Sequence, residues 1–366
     1  MRFLGDFLGR IHADASWATS RFDNPVDPEQ SIGGLEFAGE SSWDDAVYAD
    51  LALDLLRDFP LGNERFANLA VRGTYERIDP LFKSLGAFTF SDTETIQTGV
   101  VAELAGMIVS AQHTIFEDNL DDLDQILKTR SKDTLITVEL PLANQLASED
   151  RPIFWLPAVS YRFDHLHEYG ANTPDAGSGF SPSAIPDQVT EQHDAVLSWT
   201  YGLASLSYRY SWSFQDNRQP GREDADFRDQ THGLDASFHI DLADGLDVAL
   251  GAARTQQWSR AAKIKRRTLD ADASFDWRFF THWAVSGSYF YTRETDSQNL
   301  AKSKSRSLDG QLSYAFSVPL PGQRTMPGRI YVRASRQSTR FEDSQFGFSQ
   351  RPRQWTLLVG TSITLF

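Results

Sequence analysis

Along Leu203–Phe214, LASLSYRYSWSF, hydrophobic and polar side chains alternate strictly. Ala204, Leu206, Tyr208, Tyr210, Trp212 and Phe214 oppose Ser205, Ser207, Arg209, Ser211 and Ser213. A period of two puts successive side chains on opposite sides of a sheet, so the run predicts a strand with one apolar, aromatic face. The sorting returns at Leu269, Ala271, Ala273, Phe275, Trp277 and Phe279, which alternate with Asp270, Asp272, Ser274, Asp276 and Arg278, and again from Leu308 to Leu320. Three carboxylates and a guanidinium on one side do not suit the interior of an ordinary sandwich. Nearer the N-terminus, Val47, Ala49, Leu51, Leu53 and Leu55 oppose Asp50, Ala52 and Asp54, and Leu69, Val71, Gly73 and Tyr75 oppose Ala70, Arg72, Thr74 and Glu76.

Extended over the chain, the pattern predicts strands at 353–366, 327–341, 304–319, 283–294, 265–280, 246–258, 229–241, 203–216, 192–201, 153–168, 126–143, 95–116, 66–77 and 45–57. Weaker candidates at 8–19 and 32–40 bring the count to about 16, with 14 or 18 as alternatives. Connections alternate in length. Tyr201-Gly202, Ala243-Asp244-Gly245 and Thr281-His282 are tight, whereas 217–228, 259–264, 295–303 and 342–352 are longer and polar. PGQRTMP, from Pro321 to Pro327, is of middling length on the tight side. The segment 170–191 reads as the longest loop, and 79–94 as a plug element or a connection. No separate soluble domain is expected: the pattern fills 1–366.

What solvent meets the apolar face follows from composition. With a mean hydropathy of −0.40, and with Gly99–Ala111 as its longest nearly apolar run, interrupted by Glu103, the chain lacks the ~20 apolar residues a spanning helix needs. A closed antiparallel barrel is the other way to satisfy every backbone group in lipid, and its hydropathy signal is weak because half of each strand faces a polar lumen. The fold class expected is therefore all-β, a transmembrane β-barrel with short turns on one side and longer loops on the other. The absence of cysteine excludes disulfides, thiolate nucleophiles and cysteine-ligated metals. The opening residues MRFLGDFLGRIHADASW are broken by Asp6, Arg10 and His12 and do not read as a secretory leader, so a processed chain or part of a longer one is expected.

Acidity is concentrated in residues 1–150, with 27 acids and 11 bases, whereas 151–366 hold 23 acids and 24 bases. On the barrel reading the polar parity lines a pore: Asp50, Asp54, Arg72, Glu76, Arg209, Asp235, His239, Asp270, Asp272, Asp276, Arg278 and Arg333. An acidic wall with Asp50, Asp54, Glu76 and Glu103 would oppose one carrying Arg209, Arg278 and Arg333, which selects among small solutes by charge. The other parity, with Tyr208, Tyr210, Trp212, Phe214, Phe275, Trp277, Tyr314 and Phe316, would face lipid. His165 and His167 point the same way beside Glu168, but no third or fourth metal ligand is legible, so neither metal nor cofactor is expected. The basic cluster Lys263, Lys265, Arg266 and Arg267 suits solvent or anionic lipopolysaccharide better than nucleic acid. Ser, His and Asp are abundant, yet no spacing singles out a nucleophile and its base. No enzyme is expected; a hydrolase at the barrel rim is the alternative.

With its amphipathic strands, its tryptophans 155, 199, 212, 258, 277, 283 and 355, and its terminal Phe366, the chain resembles bacterial outer-membrane β-barrel proteins of the porin type. That resemblance implies an outer-membrane location, lipid and lipopolysaccharide as neighbours, and Phe366 as a signal read by the barrel-assembly machinery. One departure is legible. Trp355, Leu357, Val359, Ile363 and Leu365 stand on the parity opposite to Phe366, where the class usually keeps them in phase. The function implied is a channel for small solutes or an exported polymer. The alternative is a barrel that anchors or translocates a larger surface or secretion protein.

Overall fold

The computed structural model describes residues 1–22, 42–62, 65–80, 82, 92–142, 156–174, 181, 185–219, 226–242, 245–259, 263–298, 300–320, 324–344 and 346–363. They form eighteen strands of antiparallel β-sheet. In chain order these are β1 (Arg2–Phe7), β2 (Ile11–Phe22), β3 (Ser42–Gly62), β4 (Arg65–Ile78), β5 (Thr93–Leu104), β6 (Met107–Asp118), β7 (Thr129–Pro141), β8 (Ala158–Gly170) and β9 (Asp187–Tyr201). There follow β10 (Ala204–Asn217), β11 (Phe227–Ile240), β12 (Leu246–Ser259), β13 (Ile264–Phe280), β14 (Trp283–Asp296), β15 (Ala301–Leu320), β16 (Arg324–Asp343), β17 (Phe348–Gln350) and β18 (Arg353–Ile363). No helix among the described residues is long and apolar enough to cross a membrane.

Two compact units are distinguished. The first comprises Met1–Leu140, Tyr161–His193 and Gln215–Ala225; the second comprises Pro141–Ser160, Asp194–Phe214 and Asp226–Phe366. In the first, β1 to β7 form a meander in which each strand pairs antiparallel with the next. In the second, β11 to β16 do the same, and β16 pairs in turn with β17 and β18. Neighbouring strands in sequence are neighbours in the ladder, as short antiparallel connections dictate.

The count of eighteen corrects the expectation of about 16. The span 95–116 is two strands, because Ala105 (φ 53°) and Gly106 (φ 85°) turn the chain between Leu104 and Met107. A single strand over 22 residues would have run ~73 Å, far beyond a membrane. Likewise 8–19 contains a turn at Leu8 (φ 57°) and Gly9 (φ 62°), which separates β1 from β2. Positive φ at both central residues matches the twist of a tight hairpin. Neither site has the Asn-Gly or Asp-Gly pair that signals such a turn, so a lone glycine in an apolar run was the whole cue. β17 is an added short strand. The candidate at 32–40 lies outside the described residues, as do most of 79–94 and the terminal Phe366.

Loop lengths also differ from expectation. In the first unit the tight connections 8–10, 63–64 and 105–106 alternate with the longer 23–41, 79–92 and 119–128. In the second unit the contrast nearly disappears: 241–245, 281–282 and 321–323 at one end stand against 260–263, 297–300 and 344–347 at the other. Polar residues read as loop there continue the ladder, with Lys302 opposite Glu342 and Ala301 opposite Asp343. The same extension takes most of PGQRTMP into β16, since Thr325 and Pro327 pair with Pro319 and Ser317. Residues 187–191, read as loop, open β9.

Burial decides what kind of sheet this is. Among the described residues the buried hydrophobic side chains are Ala67 and Val189, while Leu250, Phe275, Leu308, Val332, Leu357 and many others are exposed. A soluble domain of this length would hide such residues in a core. Here the ladders have no apolar interior to bury them in.

Candidate functional site: the polar face of the strands

Directly paired residues of an antiparallel ladder project from the same face, so the registers sort every side chain. In the second unit one face carries Asp235, Gly251 and Asp272 in a row, then His239, Asp247 and Asp276, with Asp270 opposite Thr292 and Gln311 opposite Arg333. Arg209 joins this face through Asp235, at 3.3 Å, and Arg278 lies two residues beyond Asp276. The opposite face carries Val248, Phe275 and Gly287, then Leu246, Trp277 and Val285, with Tyr314 opposite Ile330 and Phe316 opposite Gly328. Tyr208 and Tyr210 belong there beside His232, and Trp212 stacks on Phe214, which receives Arg228. In the first unit Asp50, Asp54, Arg72 and Glu76 share one face, and Val47, Leu51, Leu53 and Val71 the other. All the residues assigned from parity to one environment thus stand together within their unit.

Charges on the polar faces are more mixed than an acidic wall opposing a basic one. Arg72 donates to Asp50 at 2.8 Å, and Thr74 adds a second hydrogen bond at 2.8 Å. Arg333 donates to Asp309 at 2.8 Å, Arg266 meets Glu294 at 2.9 Å, and Arg2 reaches Asp14 at 2.7 Å. Both signs also remain unpaired: among the described residues no carboxylate pairs with Arg278 or Arg329, which stand on the polar parity. Among the described residues no cation pairs with Asp54, Asp272 or Asp276, and Asp14 stands directly opposite Asp50 as Asp247 does opposite Asp276. Asp272 leans over Gly251, where a side chain would collide with its carboxylate.

Two concavities open on these faces, each of about 590 Å³. In the second unit, hydroxyls from Ser205, Ser237, Ser274, Ser286 and Ser288 surround His239, Asp247, Asp276 and Asp309. In the first, Asp6, His12, Asp54, Arg57, Asp58 and Glu103 line the other. Such a surface can hydrate and exchange cations and hydroxyl-bearing solutes. His239 is held by Asp247 at 2.6 Å and Asp241 at 3.4 Å, and among the described residues no serine hydrogen-bonds it. The hydroxyls Ser205 and Ser237 instead face each other at 2.6 Å.

The histidines singled out in β8 meet β9 instead of Glu168. His165 pairs with Glu191 at 3.2 Å, His167 with Asp187 at 3.1 Å, and Tyr161 with His193 at 2.7 Å. Among the described residues no three His, Cys, Asp or Glu side chains are placed to hold a metal. Lys265 and Arg267 project from the apolar face, whereas Arg266 is on the polar one.

Sequence reasoning missed the connection 119–128. Asn119, 1% exposed, donates to the carbonyls of Leu123 and Ile126 and accepts from the Leu123 amide, all at about 3 Å. Buried Lys128 closes the segment on Asp122 at 2.7 Å. Asn119, at φ 52°, is the kind of residue that tolerates left-handed backbone, a cue present in the sequence.

No family model and no curated protein matches the chain. Among solved structures it is similar to a bacterial polysaccharide outer membrane secretin, at 10% identity and TM-score 0.34, covering 96% of this chain and 97% of that one. It is also similar to the siderophore receptor PirA from Pseudomonas aeruginosa (9%, 0.37, covering 97% and 72%). A third is a triple mutant of the Rhodopseudomonas blastica porin (11%, 0.27, covering 98% and 100%). These likenesses run to outer-membrane β-barrel proteins, porins among them. At such low scores they add no weight to what the two faces of the strands show.

Proposed function

We propose that the strands close into a transmembrane barrel of the outer membrane, with the apolar face in lipid and the polar face lining a conduit for small solutes. The observation that supports this reading is the pairing of an almost coreless sheet with two chemically opposite faces. In water an apolar face of this extent would drive aggregation, whereas in a bilayer it is the required outer surface and closure removes the sheet edges. Barrels of 16–18 strands enclose an aqueous channel. Unpaired Asp54, Asp272 and Asp276 would favour cations, and the serine hydroxyls of the second-unit concavity would favour hydroxyl-rich solutes. Passage requires no bond to be made or broken.

The test is conductance of the purified, folded chain in planar bilayers. Stable open steps with cation preference are expected. A barrel that inserts, shown by protection of its strands from protease in vesicles, but leaves the membrane closed overturns the conduit in favour of an anchor for another polypeptide.

A further inference from the structure

The apolar face of the second unit ends in a line of cations. At its boundary β12 places Arg254, β13 Arg267, β14 Arg293, β15 Arg306, β16 Arg336 and β18 Arg353, each on the apolar parity and each exposed. Among the described residues none of the six pairs with a carboxylate. Around them on the same face Lys302, Lys304 and Arg340 add charge, and Glu342 is the one acid of this end between β12 and β18 among the described residues. In the first unit, by contrast, Arg77 is neutralised by Asp79 and Glu94, and Arg130 by Glu117. Lys132 of the first unit lies over the Tyr169 ring without a carboxylate partner among the described residues, but it is a single cation and not a line of six across neighbouring strands.

Directly below lies a trench of about 960 Å³ with an almost wholly apolar lining. Its floor is Gly310, opposite Gly287 on β14 and Ala334 on β16; Tyr289, Leu308 and Val332 form the sides. The Phe275 ring covers Gly287, but nothing lies within 4 Å of where a side chain at Gly310 would begin. Arg336 stands two residues from Ala334, about 7 Å along the strand, and is held at 4.6 Å over the Trp355 ring. Arg306 and Lys304 lie over Tyr291 at 5.7 and 5.5 Å. Aromatic rings thus orient the cations at the mouth of the trench while leaving their donors free.

We propose that this sector binds a phosphorylated, acylated lipid of the surrounding leaflet, with Arg306 and Arg336 taking a phosphate and the trench over Gly310 taking an acyl chain. Guanidinium forks match phosphate oxygens in number and geometry, and a line of six across neighbouring strands suits a headgroup with more than one phosphate. A second copy of this chain is a poorer occupant, since it would bring the same cations to the boundary with only Glu342 to offset them. The proposal rests on the apolar face lying in lipid.

The full chain folded in detergent is titrated with lipid A, a bis-phosphorylated acylated glucosamine disaccharide, with its monophosphoryl form, and with phosphatidylethanolamine. Bound lipid is counted by native mass spectrometry. Retention should fall in that order, and Arg306→Gln with Arg336→Gln should weaken lipid A binding by about tenfold or more, the loss expected for charge-assisted hydrogen bonds. Gly310→Leu should weaken all acylated ligands while the order of preference stays. Equal retention of the three lipids, unchanged retention in both variants, or a dimer that excludes lipid would each overturn the site. Insertion into vesicles is scored separately: a chain that fails to insert refutes the lipid-facing reading, whereas one that inserts without lipid preference refutes only the binding site.

Discussion

Replacing successive residues of β13 by arginine tests the two-faced reading most directly. Its apolar positions Leu269, Ala271, Ala273, Phe275 and Trp277 span eight residue steps, about 27 Å along the strand. At a tilt of ~40° that is about 21 Å of height, close to the ~25 Å apolar band of an outer-membrane barrel. Ala273 is then central, Phe275 about 5 Å from the centre, and Leu269 at the boundary beside the native Arg267. Arginine on the lipid side costs roughly 2–4 kcal/mol at mid-depth and 0–1 near the interface. Ala273→Arg and Phe275→Arg should therefore each lose about 2–4 kcal/mol, and Leu269→Arg no more than ~1. Phe275→Arg also strips the ring from Gly287. Ser274→Arg, between the two costly sites but among Ala249 and Ser288 on the polar face, should be near neutral. Reversible guanidinium unfolding from lipid vesicles, followed by tryptophan fluorescence, measures all four. If Ser274→Arg costs as much as Ala273→Arg, or the cost ignores position along the strand, the face is not in lipid.

Arg209→Glu with Arg278→Glu should shift reversal potentials toward greater cation selectivity, and unchanged potentials in a conducting barrel would remove both residues from the lumen. Asn119→Ala should destabilise the 119–128 connection by about 1–3 kcal/mol, because buried backbone groups lose their partners, and should admit protease there; an intact segment under digestion would contradict this. Hydrogen bonding from Lys128 holds the Asp122 carboxyl below the usual carboxylate range, and Asp122 in turn raises Lys128. The pair's contribution is therefore full between the ordinary carboxylate and lysine values. It is lost as pH falls through the lowered value of Asp122, or rises through the raised value of Lys128. The protection factor of the Leu123 amide should fall as the pH is lowered through the Asp122 value, and Asp122→Asn should show the lower protection already at neutral pH; identical protection factors in both would dismiss the pair.

Parity was legible residue by residue: Tyr208, Phe275 and Tyr314 on one side, Arg209, Asp272 and Arg333 on the other. It is a local property of extended backbone, written directly into the order of residues. Where strands end was less legible. Leu8-Gly9 and Ala105-Gly106 turn the chain without the usual polar signals, and the polar ends of β15 and β16 continue as strand because each supplies hydrogen bonds to the other.

By itself the sequence determined the strand class, the two faces and the chemical character of each, because side chains alternate whatever the neighbours are. Only the tertiary structure decided which side chains meet. Register set Arg72 on Asp50 and Arg333 on Asp309, left Asp272 and Asp276 without cations among the described residues, and brought six arginines from six strands to one end of the apolar face. These are contacts between residues far apart in the chain, and a shift of two residues in any one ladder would preserve every face while changing every partner.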